Sequence, residues 1–267
     1  MAEISAALVK ELRDRTGAGM MDCKRALQET NGDMEAAIVV LREKGMAGAA
    51  KRADRETTEG AVGYRLADDG SKGTMVAVGC ETEPVSKNDE FFEFAKKVLV
   101  TADESGLDAL SELEGERVEL AAKLGENIVI AGAARFEAVD GGTVAAYAHP
   151  PANKLGVLLQ LRGGDAEIGR KVAMHIAAAN PQWIDRDAVP ADALAAEREI
   201  YANSDEVQSK PEQAREKIVE GMLGKRFFGA NVLVDQEWVH DSGKTVGQVL
   251  KEAGAEVLEY QRFSLAG

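Results

Sequence analysis

The residues in this chain with the most chemical potential are its three histidines, its two cysteines and one Gly-Lys-Thr triplet. Zinc needs several His, Cys or carboxylate ligands at close spacing. His149, His175 and His240 are scattered, neither Cys23 nor Cys80 stands near another ligand, and no His-Glu-x-x-His pair occurs. No metal or cofactor is expected. Gly243-Lys244-Thr245 matches the end of a phosphate-binding loop, but that loop requires glycine at position 238, where this chain has Trp238. A helix start is the better reading, capped by Asp241 or Ser242, with Lys244 in solvent. No Gly-x-Gly-x-x-Gly follows a strand, so a dinucleotide fold is not supported. Cys80 is the candidate nucleophile, yet it adjoins Glu81 and near Glu83, whose charges disfavour the thiolate. A buried, inert thiol is expected. His175, on an Ala-rich helix, is either a packed residue or an interface residue, and His149 before Pro150-Pro151 is equally open. The residues describe a binding protein and not an enzyme.

The bulk properties agree. The chain has 267 residues, 45% apolar and 29% charged, enough for two or three domains with real cores. Its 32 basic and 46 acidic residues give a formal charge of -14. A protein that lives on phosphate contacts carries a basic surface, so direct nucleic-acid binding is not expected. The one basic stretch, Lys44 to Arg55, fits a helical linker or a protein-binding rim. No apolar run is long enough to span a membrane. Met1-Ala2-Glu3-Ile4 shows no basic patch leading into an apolar stretch, and two cysteines cannot make a disulfide scaffold, so a cytoplasmic protein is expected.

Periodicity supplies the elements that must position these residues. Ile4, Leu8 and Leu12 share a helix face ended by Gly17 and Gly19; Cys23, Ala26 and Leu27 line a second helix, from Met21 to Thr30. Asp33 caps a third, with Met34, Ala37, Ile38 and Leu41, ended by Gly45. Strands follow at Ala61–Leu66 and Thr74–Cys80, then a helix from Asp89 to Ala102 with Phe91, Phe92, Ala95, Val98 and Leu99 inward, and another from Leu113 to Leu124. Strands at 127–139, 143–148 and 155–161 precede a helix at 165–179 ended by Pro181. Residues 191–223 form an antiparallel helical hairpin broken at Ser209-Lys210-Pro211, and a helix at 246–253 and a strand at 256–264 close the chain. Val118–Glu137 and Val246–Ser264 repeat one plan of helix, glycine and long strand, which fits two α+β lobes of related build.

Leu12-Arg13-Asp14-Arg15-Thr16-Gly17-Ala18-Gly19-Met20-Met21-Asp22-Cys23-Lys24 resembles the signature opening of the bacterial elongation factor Ts family. Cys80-Glu81-Thr82-Glu83-Pro84-Val85-Ser86-Lys87-Asn88 is similar to its second signature. Glu116-Arg117-Val118, Gly125-Glu126-Asn127-Ile128, Ala173-Met174-His175-Ile176-Ala177-Ala178 and Lys244-Thr245-Val246-Gly247 resemble further ones, in order along the chain. The resemblance implies an α+β fold: a three-helix domain like ubiquitin-associated (UBA) domains, then a two-lobed core with a projecting helical hairpin. The expected division is 1–55, 56–140 and 141–267, with the hairpin at about 187–228 and a C-terminal module at about 241–267. It also implies a guanine-nucleotide exchange factor that binds the GDP-bound and nucleotide-free forms of elongation factor Tu. Leu12, Arg13, Met20, Met21 and Lys24 match the docking positions of the first domain. Thr82, Glu83, Pro84 and Val85 match a segment that disturbs the partner's magnesium and phosphate site. Ile128, His149, Met174 and His175 match core contacts. The family includes homodimers formed through the second lobe and members that bind one-to-one, and both forms stay open here.

One departure matters. The family's second signature has Asp-Phe where this chain has Glu83-Pro84, and that phenylalanine wedges into the partner. Proline is apolar but has no ring to bury, and an aromatic anchor commonly contributes a few kcal/mol to an interface. Either Pro84 and Val85 form a shallower wedge that a matched pocket accepts, or the protein is a non-exchanging, chaperone-like binder of the same GTPase.

Overall fold

The computed structural model describes residues 4–266, so the reading of Met1 to Glu3 falls outside the described residues. The architecture is α+β, in two compact units. One takes the chain up to Gly63 with Val76–Ala133 and the segment from Ser264; the other takes Tyr64–Met75 and Ala134–Phe263.

The first unit opens with helices α1 (Ala6–Thr16), α2 (Met20–Glu29) and α3 (Met34–Arg52). Ser5 caps α1 by accepting from the Leu8 N–H at 3.2 Å, and Asp33 caps α3 by accepting from the Ala36 N–H at 3.0 Å. Leu12, Cys23, Ala26, Leu27 and Ala37 bury together on the faces that the spacing predicts, joined by Val9, which the spacing did not single out. Ile4, ahead of α1, and Leu8 are only partly buried against them. Gly45 does not end α3. A Cβ there would lie 2.7 Å from the Ala122 Cβ, so this glycine is a notch for a neighbouring helix, and the Ala, Lys and Arg residues beyond it continue the helix readily.

Strands β1 (Glu59–Leu66) and β2 (Lys72–Cys80) lead into a single turn, α4 (Glu83–Ser86), and then α5 (Asp89–Ser105). Asn88 caps α5, accepting from the Glu90 and Phe91 N–H groups at 2.9 and 3.4 Å. Phe91, Phe94, Ala95, Val98 and Ala102 form its buried stripe. Phe92, expected inward, is 57% exposed, because the stripe advances by three and four residues from Phe91 and selects Phe94. A 3-10 stretch at Leu107–Leu113 precedes α6 (Glu114–Leu124), and Gly125 (φ 76°) turns the chain into β3 (Ile128–Glu137). These strands form one sheet in the order β1-β2-β3.

In the second unit β4 (Thr143–Ala148) pairs antiparallel with β5 (Leu155–Arg162), from Thr143 opposite Leu161 to Ala148 opposite Gly156. Helix α7 (Ala166–Ala179) packs on them through Val172, Ala173 and Ile176, and Asn180 in the left-handed region closes it before Pro181. Helices α8 (Ala191–Ala202), α9 (Asp205–Gln208) and α10 (Glu212–Met222) follow. Their connection is broader than the expected break at 209–211, because α9 tucks Val207 into a core with Val219, Met222 and Phe228. A π-helical stretch at Leu223–Phe228 runs into the short α11 (Gly229–Asn231).

A two-stranded ribbon, β6 (Glu237–Trp238) with β7 (Asp241–Thr245), occupies the place read as a helix start. Neither Asp241 nor Ser242 caps α12 (Val246–Glu252). Thr245 does, in a capping box with Gln248, and Lys244 is ion-paired with Glu252 at 2.5 Å. Gly254 (φ 60°) then turns the chain into β8 (Glu256–Ser264), giving the order β4-β5-β8. Both sheets are thus a pair of strands joined by a third that follows a helix and a left-handed glycine, as the repeated sequence plan implies.

Candidate functional site

In the first unit the segment Thr82–Val85 leaves β2 and forms the α4 turn. Thr82, Glu83 and Pro84 are exposed, while Val85 is half-buried against the core around Phe91. Proline suits the first turn of a helix, where its fixed φ is already helical and its missing N–H costs nothing. The Ser86 and Lys87 N–H groups close the turn on the Thr82 and Glu83 carbonyls at 3.1 and 3.2 Å. Lys87 Nζ pairs with Glu83 at 2.6 Å, which raises the lysine above its ordinary range.

The base of this turn is held by residues that the resemblance did not single out. The Glu81 and Thr82 N–H groups donate to Glu126 Oε2 at 3.1 and 3.0 Å, and the Thr82 hydroxyl donates to Glu126 Oε1. Thr82 occupies the N-cap position of α4, but its hydroxyl faces Glu126 and makes no cap bond. In return, the Asn127 N–H donates to Glu81 Oε1 at 2.6 Å. The buried Asn127 amide donates to the Ala53 and Arg55 carbonyls at 3.1 and 2.9 Å, and Arg55 pairs with Glu81 at 3.2 Å. The Asn127 N–H, aided by Arg55, holds the Glu81 carboxyl below its usual range. The available signal was that Glu81, Glu126 and Asn127 all stand inside quoted motifs. Which partner each holds follows only from the fold.

On α1 and α2, Arg13 and Lys24 are exposed, and Met20 and Met21 are 46% and 64% exposed. Two adjacent methionines in water form an adaptable apolar contact surface. Leu12, grouped with them, is fully buried and supports the bundle from within. A cleft of about 760 Å³ lies beside α3, α5 and α6, with Ile38, Leu41, Met46, Phe94 and Leu120 on its walls. Its charged walls are already paired, as in Arg42–Glu119, Lys97–Glu116 and Lys123–Glu90, so it offers a ligand little unmatched charge.

Ile128 is fully buried in the first core, where its carbonyl accepts from Arg117 at 2.5 Å. Its side chain lies within that core. In the second unit His149 is exposed, its Nδ1 2.8 Å from the Tyr147 hydroxyl, and Met174 is half-buried. His175 is fully buried. Its Nδ1 accepts from the Val239 N–H at 3.3 Å, so the proton sits on Nε2 and is donated to Gln236 Oε1 at 2.9 Å. The Gln236 amide donates onward to the Ala230 and Ala179 carbonyls at 2.8 and 3.3 Å, and the Trp238 ring stacks on the imidazole with centroids 5.3 Å apart. Burial pushes His175 below the ordinary imidazole range. Of the two readings open in the sequence, the structure chooses the packed one.

Cys80 is buried, and its thiol donates to the Thr82 carbonyl at 3.4 Å. Among the described residues, no group of three His, Cys, Asp or Glu side chains could hold a metal ion. Among them, too, no helix is long and apolar enough to cross a membrane.

The first unit thus presents an exposed turn on a hydrogen-bonded base and a methionine-bearing helix end, and the second unit exposes His149 and half-buries Met174. Comparison with known proteins places the chain in a family. The family model described as "Elongation factor TS" matches residues 81–267. Elongation factor Ts of Thioalkalivibrio sulfidiphilus is 44% identical over 272 residues, covering 98% of this chain and 92% of that protein. The proteins of the same name from Methylococcus capsulatus and Alkalilimnicola ehrlichii are 43% and 42% identical, with the same coverage of each chain. The chain belongs to the elongation factor Ts family.

Proposed function

We propose that this chain is a guanine-nucleotide exchange factor in translation elongation, a cytoplasmic protein that binds elongation factor Tu in its GDP-bound and nucleotide-free forms. It is not an enzyme: its effect on the partner comes from binding free energy. In this reading residues 1–55 form the UBA-like docking domain, and Arg13, Met20, Met21 and Lys24 touch the nucleotide-binding domain of the GTPase. Residues 56–140 form the first lobe, whose Thr82–Val85 turn presses on the magnesium and phosphate site. Residues 141–267 form the second lobe, which grips the partner through His149 and Met174 and carries the α8–α10 hairpin and the C-terminal module.

The observation that carries the reading is the exposed Thr82-Glu83-Pro84 turn on a hydrogen-bonded base, in a chain that matches its relatives along nearly their whole length. An exchange factor works by stabilising the nucleotide-free partner, and each tenfold weakening of GDP takes about 1.4 kcal/mol of differential binding. Coupling is reciprocal, so GDP weakens the factor's grip by the same ratio. Separate contact surfaces suit this task, since several of them can bias one partner towards a conformation that holds nucleotide poorly.

Glu83-Pro84 in place of Asp-Phe motivates a second reading, a partner that binds the GTPase without exchange. Stopped-flow release of a fluorescent GDP analogue from the cognate GTPase, with and without this protein, separates the two. Acceleration by the natural protein is the expected result, with Pro84→Phe changing the rate by about tenfold or less, that is about 1.4 kcal/mol, below the few kcal/mol of a full aromatic anchor. Absence of acceleration by the natural protein refutes exchange, and recovery in Pro84→Phe alone places the defect at the turn.

A further inference from the structure

We infer that Glu126 is a positioning residue, and that the reciprocal bonds it and Asn127 make to Glu81 and Thr82 set the exposed turn in place for its partner. This rests on the exchange reading for its functional consequence, but the bonds stand on geometry alone. Three segments distant in sequence meet here: the exit from α3 at Ala53–Arg55, the end of β2 at Glu81–Thr82, and the turn from α6 to β3 at Glu126–Asn127. A single carboxylate takes all three donors that the start of the turn presents, two N–H groups and one hydroxyl. Asn127 at once takes hold of Glu81 and of the chain leaving α3. Thr82 has no cap bond of its own. Without Glu126, the turn keeps Val85 against the core, its own closing bonds, the Cys80 thiol on the Thr82 carbonyl and the hold of Asn127 and Arg55 on Glu81. The Glu81 and Thr82 N–H groups, however, lose their acceptor. Side chains that press on a partner deliver their binding energy only when held in one geometry, and a loose support lowers the effect without removing the contact.

The chemistry selects the test. Glu126→Ala leaves two N–H groups and one hydroxyl without their acceptor. Glu126→Gln keeps an amide oxygen for the two N–H groups, and its NH2 can donate to the Thr82 hydroxyl, which then serves as acceptor. In the full chain, hydrogen exchange at the Glu81 and Thr82 amides reports the bonds directly, and GDP release with the cognate GTPase reports their consequence. The expected result is faster amide exchange in Glu126→Ala, with protection restored in Glu126→Gln. The maximal rate of GDP release falls about tenfold in Glu126→Ala while its half-saturating concentration stays within about threefold, and Glu126→Gln recovers most of the rate. Unchanged amide protection in Glu126→Ala overturns the inference, as does a loss confined to the half-saturating concentration or a Glu126→Gln variant no better than alanine. If the natural protein fails to release GDP, the exchange reading falls, while the amide measurement still decides whether Glu126 holds the turn.

Discussion

His175 matches a core contact by resemblance yet is fully buried in the structure, and its removal decides between the two roles. As a contact residue, His175→Ala would weaken binding to the GTPase and leave folding alone. The structure predicts the reverse. Gln236 is buried, so losing the Nε2–H donor leaves its carbonyl oxygen unpaired, at about 1–2 kcal/mol. The stack with Trp238 contributes about 1 kcal/mol beyond burial, and the emptied ring volume about 1 kcal/mol more. Val239, in the turn between β6 and β7, is 49% exposed, so its N–H can turn to water and adds little. The sum is about 3–4 kcal/mol, a large share of the 5–15 kcal/mol typical of a folded domain. Urea unfolding followed by tryptophan fluorescence suits the question, because Trp183 and Trp238 both lie in the unit that holds His175. A large fall in unfolding midpoint is expected, with affinity for elongation factor Tu nearly intact at temperatures where the variant is folded. An unchanged midpoint together with a tenfold weaker affinity would refute the buried assignment.

The same imidazole makes stability depend on pH. Burial lowers its pKa in the folded state, so as pH falls the unfolded chain takes up a proton first; His240, which leans on Trp238 beside it, acts in the same direction. The stabilisation is complete above about pH 6.5 and declines below it. Glu81, held low by Asn127, adds a further loss only near the carboxylate range, about pH 4. Thermal unfolding across this interval should show a shallower decline in His175→Gln than in the natural protein, and parallel curves would count against the assignment. Gly45→Ala gains about 1 kcal/mol of helix propensity but drives a methyl to 2.7 Å from Ala122, so a net loss of about 1 kcal/mol is expected. In an Ala122→Gly background the same substitution should stabilise; circular dichroism during denaturation reads both signs, and equal effects in the two backgrounds would dismiss the notch.

What could be read from the sequence was what short-range physics determines. Asp33 occupies a cap that its side chain fills, and Cys23, Ala26 and Leu27 recur at the spacing that buries them. The helix-glycine-strand plan survives because its glycines take the left-handed turn that other residues adopt reluctantly. What was misread depends on distant neighbours. Gly45 has the signature of a helix end, and only the approach of Ala122 reveals it as a contact. Phe92 is apolar, and only the stripe fixed by Phe91 and Phe94 turns it outward. Leu12, Ile128 and His175 lie within matched motifs, and a motif does not distinguish a residue that touches a partner from one that holds the toucher in place. Glu126 and Asn127 were visible in a motif for the same reason, without their role.

The proline at position 84 then has a physical reading that the bare comparison with phenylalanine lacks. A ring gains affinity by burying area, but an exposed flexible turn must be ordered before it can press, and that ordering subtracts from the gain. Here the turn is already ordered at both ends: by Glu126 at its base, by the Ser86 and Lys87 N–H groups at its close, and by the fixed φ of Pro84 between them. Rigidity and area are alternative sources of the same binding free energy. Pro84→Phe adds area but loosens the first turn of α4, so its effect on GDP release measures a balance between the two terms. A small effect of either sign is what a pre-ordered turn predicts. A large gain would mean that rigidity at this turn contributes little and that the missing ring is a real loss.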